Sequence, residues 1–222
     1  MAQLRFFFGT MGSGKSTQAL QVHHNLRARG LECLLITQLD RAEGKVSSRL
    51  GVAADATIID HSVDLRRFIH QQHLTGTGLH AVLCDEAQFY TPGQIDQLAR
   101  VVDELDIEVY AYGLLTSFQG RLFPGTQRLL ELADTRSELQ VEARCWCGSR
   151  ATHNARLVNG MQVYDGDLVA VGDTEPAAAG ADDAPVITYD LRCRRHWLEG
   201  LHRQTQDQLF SDASFDGLVI DL

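Results

Sequence analysis

No apolar run in the 222-residue chain approaches the roughly 20 residues needed to cross a bilayer. The longest, Leu4–Phe8 and Cys33–Ile36, are short, and the first is broken by Arg5. The N-terminus has no basic stretch leading into an apolar segment and a cleavage site, so it does not read as an export signal. Positive charge is also scarce: 20 Lys plus Arg face 29 Asp plus Glu, a net charge of −9. A surface that tracks DNA or RNA needs clustered positive charge, so neither nucleic acid nor membrane is expected as a partner. A small pocket for one nucleotide stays compatible with that balance, because local chemistry can oppose global charge. The five cysteines are an odd number. Cys33 and Cys84 sit in apolar runs, while Cys145, Cys147 and Cys193 lie beside polar residues. A chain without an export signal is expected in the reducing cytoplasm, where clustered cysteines point to metal before disulfide. No internal repeat is visible.

What is present is ordinary globular material, 44% hydrophobic and 22% charged. The first two-thirds alternate strand and helix. Leu4–Phe8, Cys33–Thr37, Ala56–Asp60, His80–Cys84 and Glu108–Tyr112 read as strands. Between them fall helical spacings: Ala19, Leu20, Val22 and Leu26; Leu65, Phe68 and Ile69 after Asp64; and Ile95, Leu98, Val101 and Val102 after the start signal Thr91-Pro92. Gly125–Ala133 reads as another helix. This order predicts an α/β fold with a mostly parallel sheet flanked by helices. Near Glu138 the texture changes. Leu139–Cys145 alternates like a strand, Asn159-Gly160 is a hairpin signal, and Val186–Leu191 is strand-like. Glu175–Pro185 reads as a loop and the tail beyond Trp197 as partly disordered. The expected division is a core over 1–143, a small lobe over 144–197 and a tail over 198–222.

Gly9-Thr10-Met11-Gly12-Ser13-Gly14-Lys15-Ser16 matches G-x-x-x-x-G-K-[ST] without a gap, after a predicted strand and before a predicted helix. Glycines let backbone N–H groups converge on phosphate oxygens, Lys15 adds a point charge, and Ser16 offers a hydroxyl to Mg²⁺. The apolar run Ala81–Cys84 ends in Asp85, the expected second anchor of the Mg²⁺ shell. Glu86 follows, at the strand end where open α/β sheets bind ligands, and can accept a proton from an attacking hydroxyl or water. A phosphate loop alone leaves kinase, ATPase motor, GTPase and helicase open. The sequence has no N-K-x-D, no L-S-G-G-Q and no second motor domain, which leaves a small-molecule kinase as the leading reading. A zinc-ribbon ATPase acting on nucleic acid, using the arginines at 144, 150, 156, 192, 194 and 195, and a nucleotide-sensing module without catalysis remain as rivals.

Taken together, Gly9–Ser16, Asp85-Glu86-Ala87-Gln88-Phe89 and the C-terminal cysteine/histidine set resemble the type II, zinc-containing thymidine kinases. Asp40-Arg41 with Ser47-Ser48-Arg49, Gly113-Leu114 leading to Phe118 and Phe123, Val171-Gly172-Asp173, and Tyr189 before Cys193 extend the likeness over residues 4–197. The resemblance implies a RecA-like core with a small β-rich lasso domain, and MgATP-dependent phosphorylation of the thymidine 5′-hydroxyl. By the same likeness Glu86 is the general base and Gln88 stands with the nucleotide site. Met11, Phe89, Leu114 and Phe118 wall the base, and Arg41 contacts phosphate or orders the acceptor loop. Main-chain groups of Leu168, Val169, Ala170, Val171 and Gly172 read the thymine edge, and Tyr189 closes the pocket. A cytoplasmic homotetramer inhibited by thymidine triphosphate is implied as well.

Cys145, Cys147, Cys193 and His196 can supply three thiolates and an imidazole, a recognised structural zinc set. Cys-x-x-His at 193–196 has common spacing, whereas Cys-x-Cys at 145–147 is one residue shorter than the family's knuckle. Two unrelated thiol pairs are the alternative, and His153 is a possible substitute ligand. His23, His24, His61, His70 and His73 are expected on solvated faces.

Overall fold

A computed structural model describes residues 1–38, 45–48, 51–76, 78–140, 142–168 and 185–200. The elements in chain order are β1 (Leu4–Gly9), α1 (Lys15–Arg27), β2 (Cys33–Thr37), β3 (Lys45–Ser47), β4 (Ala53–Asp55), β5 (Thr57–Ile58), α2 (Leu65–Thr75) and β6 (Ala81–Asp85). A 3₁₀ turn (Ala87–Phe89) follows, then α3 (Pro92–Leu105), β7 (Glu108–Leu114), α4 (Pro124–Leu132) and β8 (Thr135–Glu138). The remainder is β9 (His153–Val158), β10 (Met161–Val163), β11 (Ile187–Arg192) and α5 (Arg194–Glu199). Two compact units emerge, Met1–Ala143 and Arg144–Leu222.

The first unit is built on a six-stranded sheet in the order β5-β2-β6-β7-β1-β8, with every pairing parallel. Its middle strands are covered on both faces, and β6 (Ala-Val-Leu-Cys-Asp) is buried at all five positions. The period-2 alternation sorts them. Leu35 and Leu83 pack with Leu20 of α1 on one face. Ile36, Val82, Cys84 and Val109 pack with Ile69, Ile95, Leu98 and Leu129 of α2, α3 and α4 on the other. Burying a Leu or Ile side chain contributes roughly 1.5–3 kcal/mol, so these two layers hold the sheet rigid where it carries the site. α3 starts as its sequence predicts: Thr91 accepts from Gln94 N, and the Gln94 side chain reaches back to Thr91 N, each at 3.1 Å.

The second unit is a three-stranded antiparallel sheet, β10-β9-β11, followed by α5. Asn159 and Gly160 both take positive φ, 50° and 80°, as a two-residue hairpin turn with the sheet's twist requires.

Three expectations are corrected. Leu139–Cys145 forms no strand among its described residues; the edge strand is β8, just upstream. All four β8 residues, Thr-Arg-Ser-Glu, are exposed, so no apolar alternation marks them. Ala56–Asp60 shrinks to β5, with β4 turning back on β3 instead. α5, with its C-terminal Gly200 at φ 66°, begins before Trp197, where helix was not expected. The loop expected over 175–185 lies, but for Pro185, outside the described residues, as does the tail over 201–222. No helix among the described residues is long and apolar enough to cross a membrane.

Candidate functional site

β1 runs straight into the phosphate loop. Gly9 has room for no side chain, since a Cβ there would stand 2.4 Å from Ser13 Oγ and 2.6 Å from Leu139 O. Gly12 and Gly14 take left-handed φ of 70° and 83°, a conformation only glycine adopts freely and one that lets such a loop curl around an anion. α1 begins at Lys15, its N-terminal dipole aimed into the loop. Lys15 Nζ is 2.7 Å from Thr10 O, and Thr10 Oγ1 is buried with no hydrogen-bond partner. An orphaned hydroxyl and a folded-back ammonium inside a glycine-built cradle suit a phosphate ligand.

Ser16 Oγ donates to Asp85, 3.1 Å from Oδ2 and 3.4 Å from Oδ1. Burial pushes the Asp85 carboxyl up to about 6, helped by the Glu86 charge and opposed by the Ser16 bond and Lys15. Glu86 then leaves β6 in a left-handed conformation (φ 52°, ψ 36°), rare for a non-glycine residue, and starts the 3₁₀ turn. Gln88 Nε2 donates to Glu86 Oε2 at 2.6 Å, and Gln88 Oε1 accepts from Leu114 N at 3.0 Å. Leu114 O in turn accepts from Thr126 Oγ1 at 2.7 Å. Leu114 and Phe118 are buried, and Phe89 meets Phe123 edge-on at 5.5 Å. The loop residues Gly9–Ser16 thus share one corner with Asp85, and Glu86, Gln88 and Leu114 form a bonded chain beside it. Met11 is half-buried on the loop.

In the second unit, Arg156 is buried and makes three contacts that sequence reasoning missed. It donates to the Tyr189 hydroxyl (3.0 Å) and to the carbonyls of Asp167 (2.6 Å) and Leu168 (3.2 Å). A lone arginine inside the apolar stretch Ala155–Val158 was the available signal. Arg41 and Val169–Gly172 lie outside the described residues. Cys145, Cys147, Cys193 and His196 bring their ligand atoms within 4.8 Å of one another. Cys145 Sγ is 3.3 Å and Cys193 Sγ 3.5 Å from His196 Nδ1, and Cys147 Sγ is 3.9 Å from Cys193 Sγ. Tetrahedral zinc with Zn–S near 2.3 Å separates its ligands by about 3.5–3.8 Å, so this donor set fits zinc. The short Cys-x-Cys bite is absorbed by a tight turn: Gly148 N bonds Cys145 O, Cys145 N bonds Ser149 O, and Gly148 takes φ 83°. His153 stands apart from the cluster, bonded to Thr152 Oγ1 and stacked on Trp197. Two histidines expected in solvent have partners: His73 Nδ1 accepts from Leu79 N, and His61 Nε2 lies 3.1 Å from Phe89 O.

A protein-family model described as thymidine kinase matches residues 2–197. The thymidine kinase of Streptomyces coelicolor is 53% identical over 197 residues, covering 88% of each chain. That of Streptomyces avermitilis is 52% identical over the same length and coverage. The thymidine kinase of Cutibacterium acnes is 44% identical over 220 residues, covering 98% of this chain and 99% of the relative.

Proposed function

The chain belongs to the thymidine kinase family, and from that premise we propose how its own residues phosphorylate thymidine at the 5′-hydroxyl with ATP. Phosphoryl transfer asks a protein mainly for in-line positioning and for groups that offset charge on the transferred oxygens. The backbone N–H groups of Gly9–Gly14 take the β- and γ-phosphates. Lys15, now bonded to Thr10 O, exchanges that carbonyl for phosphate oxygen. A hydroxyl and a carboxylate, Ser16 and Asp85, suit a hard cation such as Mg²⁺ and would hold it. When bound, that ion would offset negative charge on the phosphate oxygens.

Glu86 accepts the proton of the 5′-hydroxyl as that oxygen bonds the γ-phosphorus and ADP departs. Met11, Phe89, Leu114 and Phe118 wall the base. The parts of Leu168, Tyr189, Arg41 and the 169–172 main chain in holding substrate rest on the family resemblance, as do a homotetrameric assembly and a cytoplasmic location. Zinc held by Cys145, Cys147, Cys193 and His196 would have four protein ligands and no open position, which suits a structural role.

The observation that carries the reading is Glu86 itself, placed next to Asp85 and anchored in a left-handed turn. ADP release is to be measured with thymidine, with DNA and with neither. Thymidine alone should stimulate it, and failure to do so overturns the kinase assignment. Glu86→Gln should keep ATP affinity while kcat falls about 10²–10⁴-fold. Normal turnover in that variant removes Glu86 as the base.

A further inference from the structure

We propose that Gln88 is a positioning residue of the reaction, orienting the Glu86 carboxylate and tying it to the backbone of Leu114. The inference rests on Glu86 being the base. The resemblance put Gln88 with the nucleotide, but both ends of its amide are engaged elsewhere and only 1% of the residue is exposed. The bond to Leu114 N settles which end is oxygen, because a backbone N–H can only donate. The NH₂ end therefore faces Glu86 and donates to its Oε2 at 2.6 Å.

Two independent features keep the amide where it is. Gly113 has no side chain where a Cβ would stand 3.0 Å from both Gln88 N and Gln88 Oε1. Thr126 holds the carbonyl of the same Leu114 whose N–H Gln88 accepts, so side chains from two other elements claim both backbone groups at the end of β7. Leu114 also belongs to the proposed base wall. A shift of that wall is thus passed to the carboxylate through a single buried side chain.

The choice of an amide matters chemically. An uncharged amide donates to a carboxylate oxygen without competing for its proton, so it fixes the direction of the Glu86 carboxylate while leaving it free to act.

Gln88→Glu is the informative substitution, since its oxygen still accepts from Leu114 N while the donor to Glu86 becomes a competing acid. We expect KM for ATP and thymidine to stay within about twofold and kcat at neutral pH to fall at least about tenfold. A wild-type kcat overturns the proposal, and so does a loss confined to KM for ATP, which would make Gln88 a nucleotide contact. Should that variant fail to fold, Gly113→Ala pushes on Gln88 from the strand side and should lower kcat with ATP affinity unchanged. Unaltered kcat there overturns the proposal equally. An active Glu86→Gln enzyme would instead sink the base assignment, whatever Gln88 does.

Discussion

Ser16 Oγ lies 3.1 Å from Asp85 Oδ2, which joins the first turn of α1 to the last residue of β6. The phosphate loop and the acidic strand end are separate in sequence and not neighbours in the sheet, since β7 stands between β1 and β6. α1 bridges them.

That bond does not offset the cost of burying Asp85, whose carboxyl is pushed up to about 6. A carboxyl raised on folding binds its proton more tightly folded than unfolded, so stability falls as pH rises from about 4 through 6. At pH 7, without metal or nucleotide, the cost is about 2–3 kcal/mol. Asp85→Asn should therefore raise Tm at pH 7 by roughly 5 °C, with the gain vanishing near pH 4, while kinase activity collapses. Melting curves at both pH values check this; an unchanged or lowered Tm at pH 7 contradicts it.

Gly125 packs directly on the turn that carries Glu86. A Cβ there would stand 2.4 Å from Tyr90 O, 2.9 Å from Ala87 O and 3.0 Å from Gln88 O. Backbone carbonyls cannot rotate aside, so Gly125→Ala should cost about 1–3 kcal/mol and lower kcat by displacing the turn. Gly93→Ala is the contrast, its nearest neighbour being Thr91 Oγ1 at 3.9 Å, and it should melt no lower than the parent. Equal melting temperatures for the two variants would refute the packing argument.

The thiolate–imidazole cluster should retain a single zinc ion per chain through purification. Trp146 stacks on His196 at 3.9 Å, so its fluorescence reports the cluster. A strong chelator should change that signal and lower the melting temperature, because zinc binding in so small a unit is folding free energy. Protein that carries no zinc, and whose fluorescence ignores the chelator, would dismiss the metal.

Much of the first unit is legible from sequence because its signals are local. The loop glycines, Lys15 and Ser16 are contiguous, Thr91-Pro92 caps α3, and the apolar run before Asp85 announces a buried strand. The grouping of Cys145, Cys147, Cys193 and His196 could be read from residue type alone. What escaped reading depends on neighbours from far along the chain. β8 exists because β1 offers an open edge, although its own four residues are polar. Gln88 was expected with the nucleotide site; only the fold brings Leu114 N to it across 26 positions. Arg156 counted as surface charge until Tyr189 and the carbonyls of 167 and 168 converged on it.

The sheet order also sets when the nucleotide site can form as the chain is made. β1 pairs with β7 and β8, matching Leu4 to Val109 and Arg5 to Thr135, and with no nearer strand among the described residues. Non-local parallel pairing is slow, because loop closure comes before any contact rewards it. On the ribosome the phosphate loop emerges first, yet its supporting strand has no partner until more than a hundred further residues have followed. The earliest residues of the site to be synthesised are thus among the last to be fixed. Until then, the apolar side chains of β1, Leu4, Phe6 and Phe8, stay open to any chaperone that meets them.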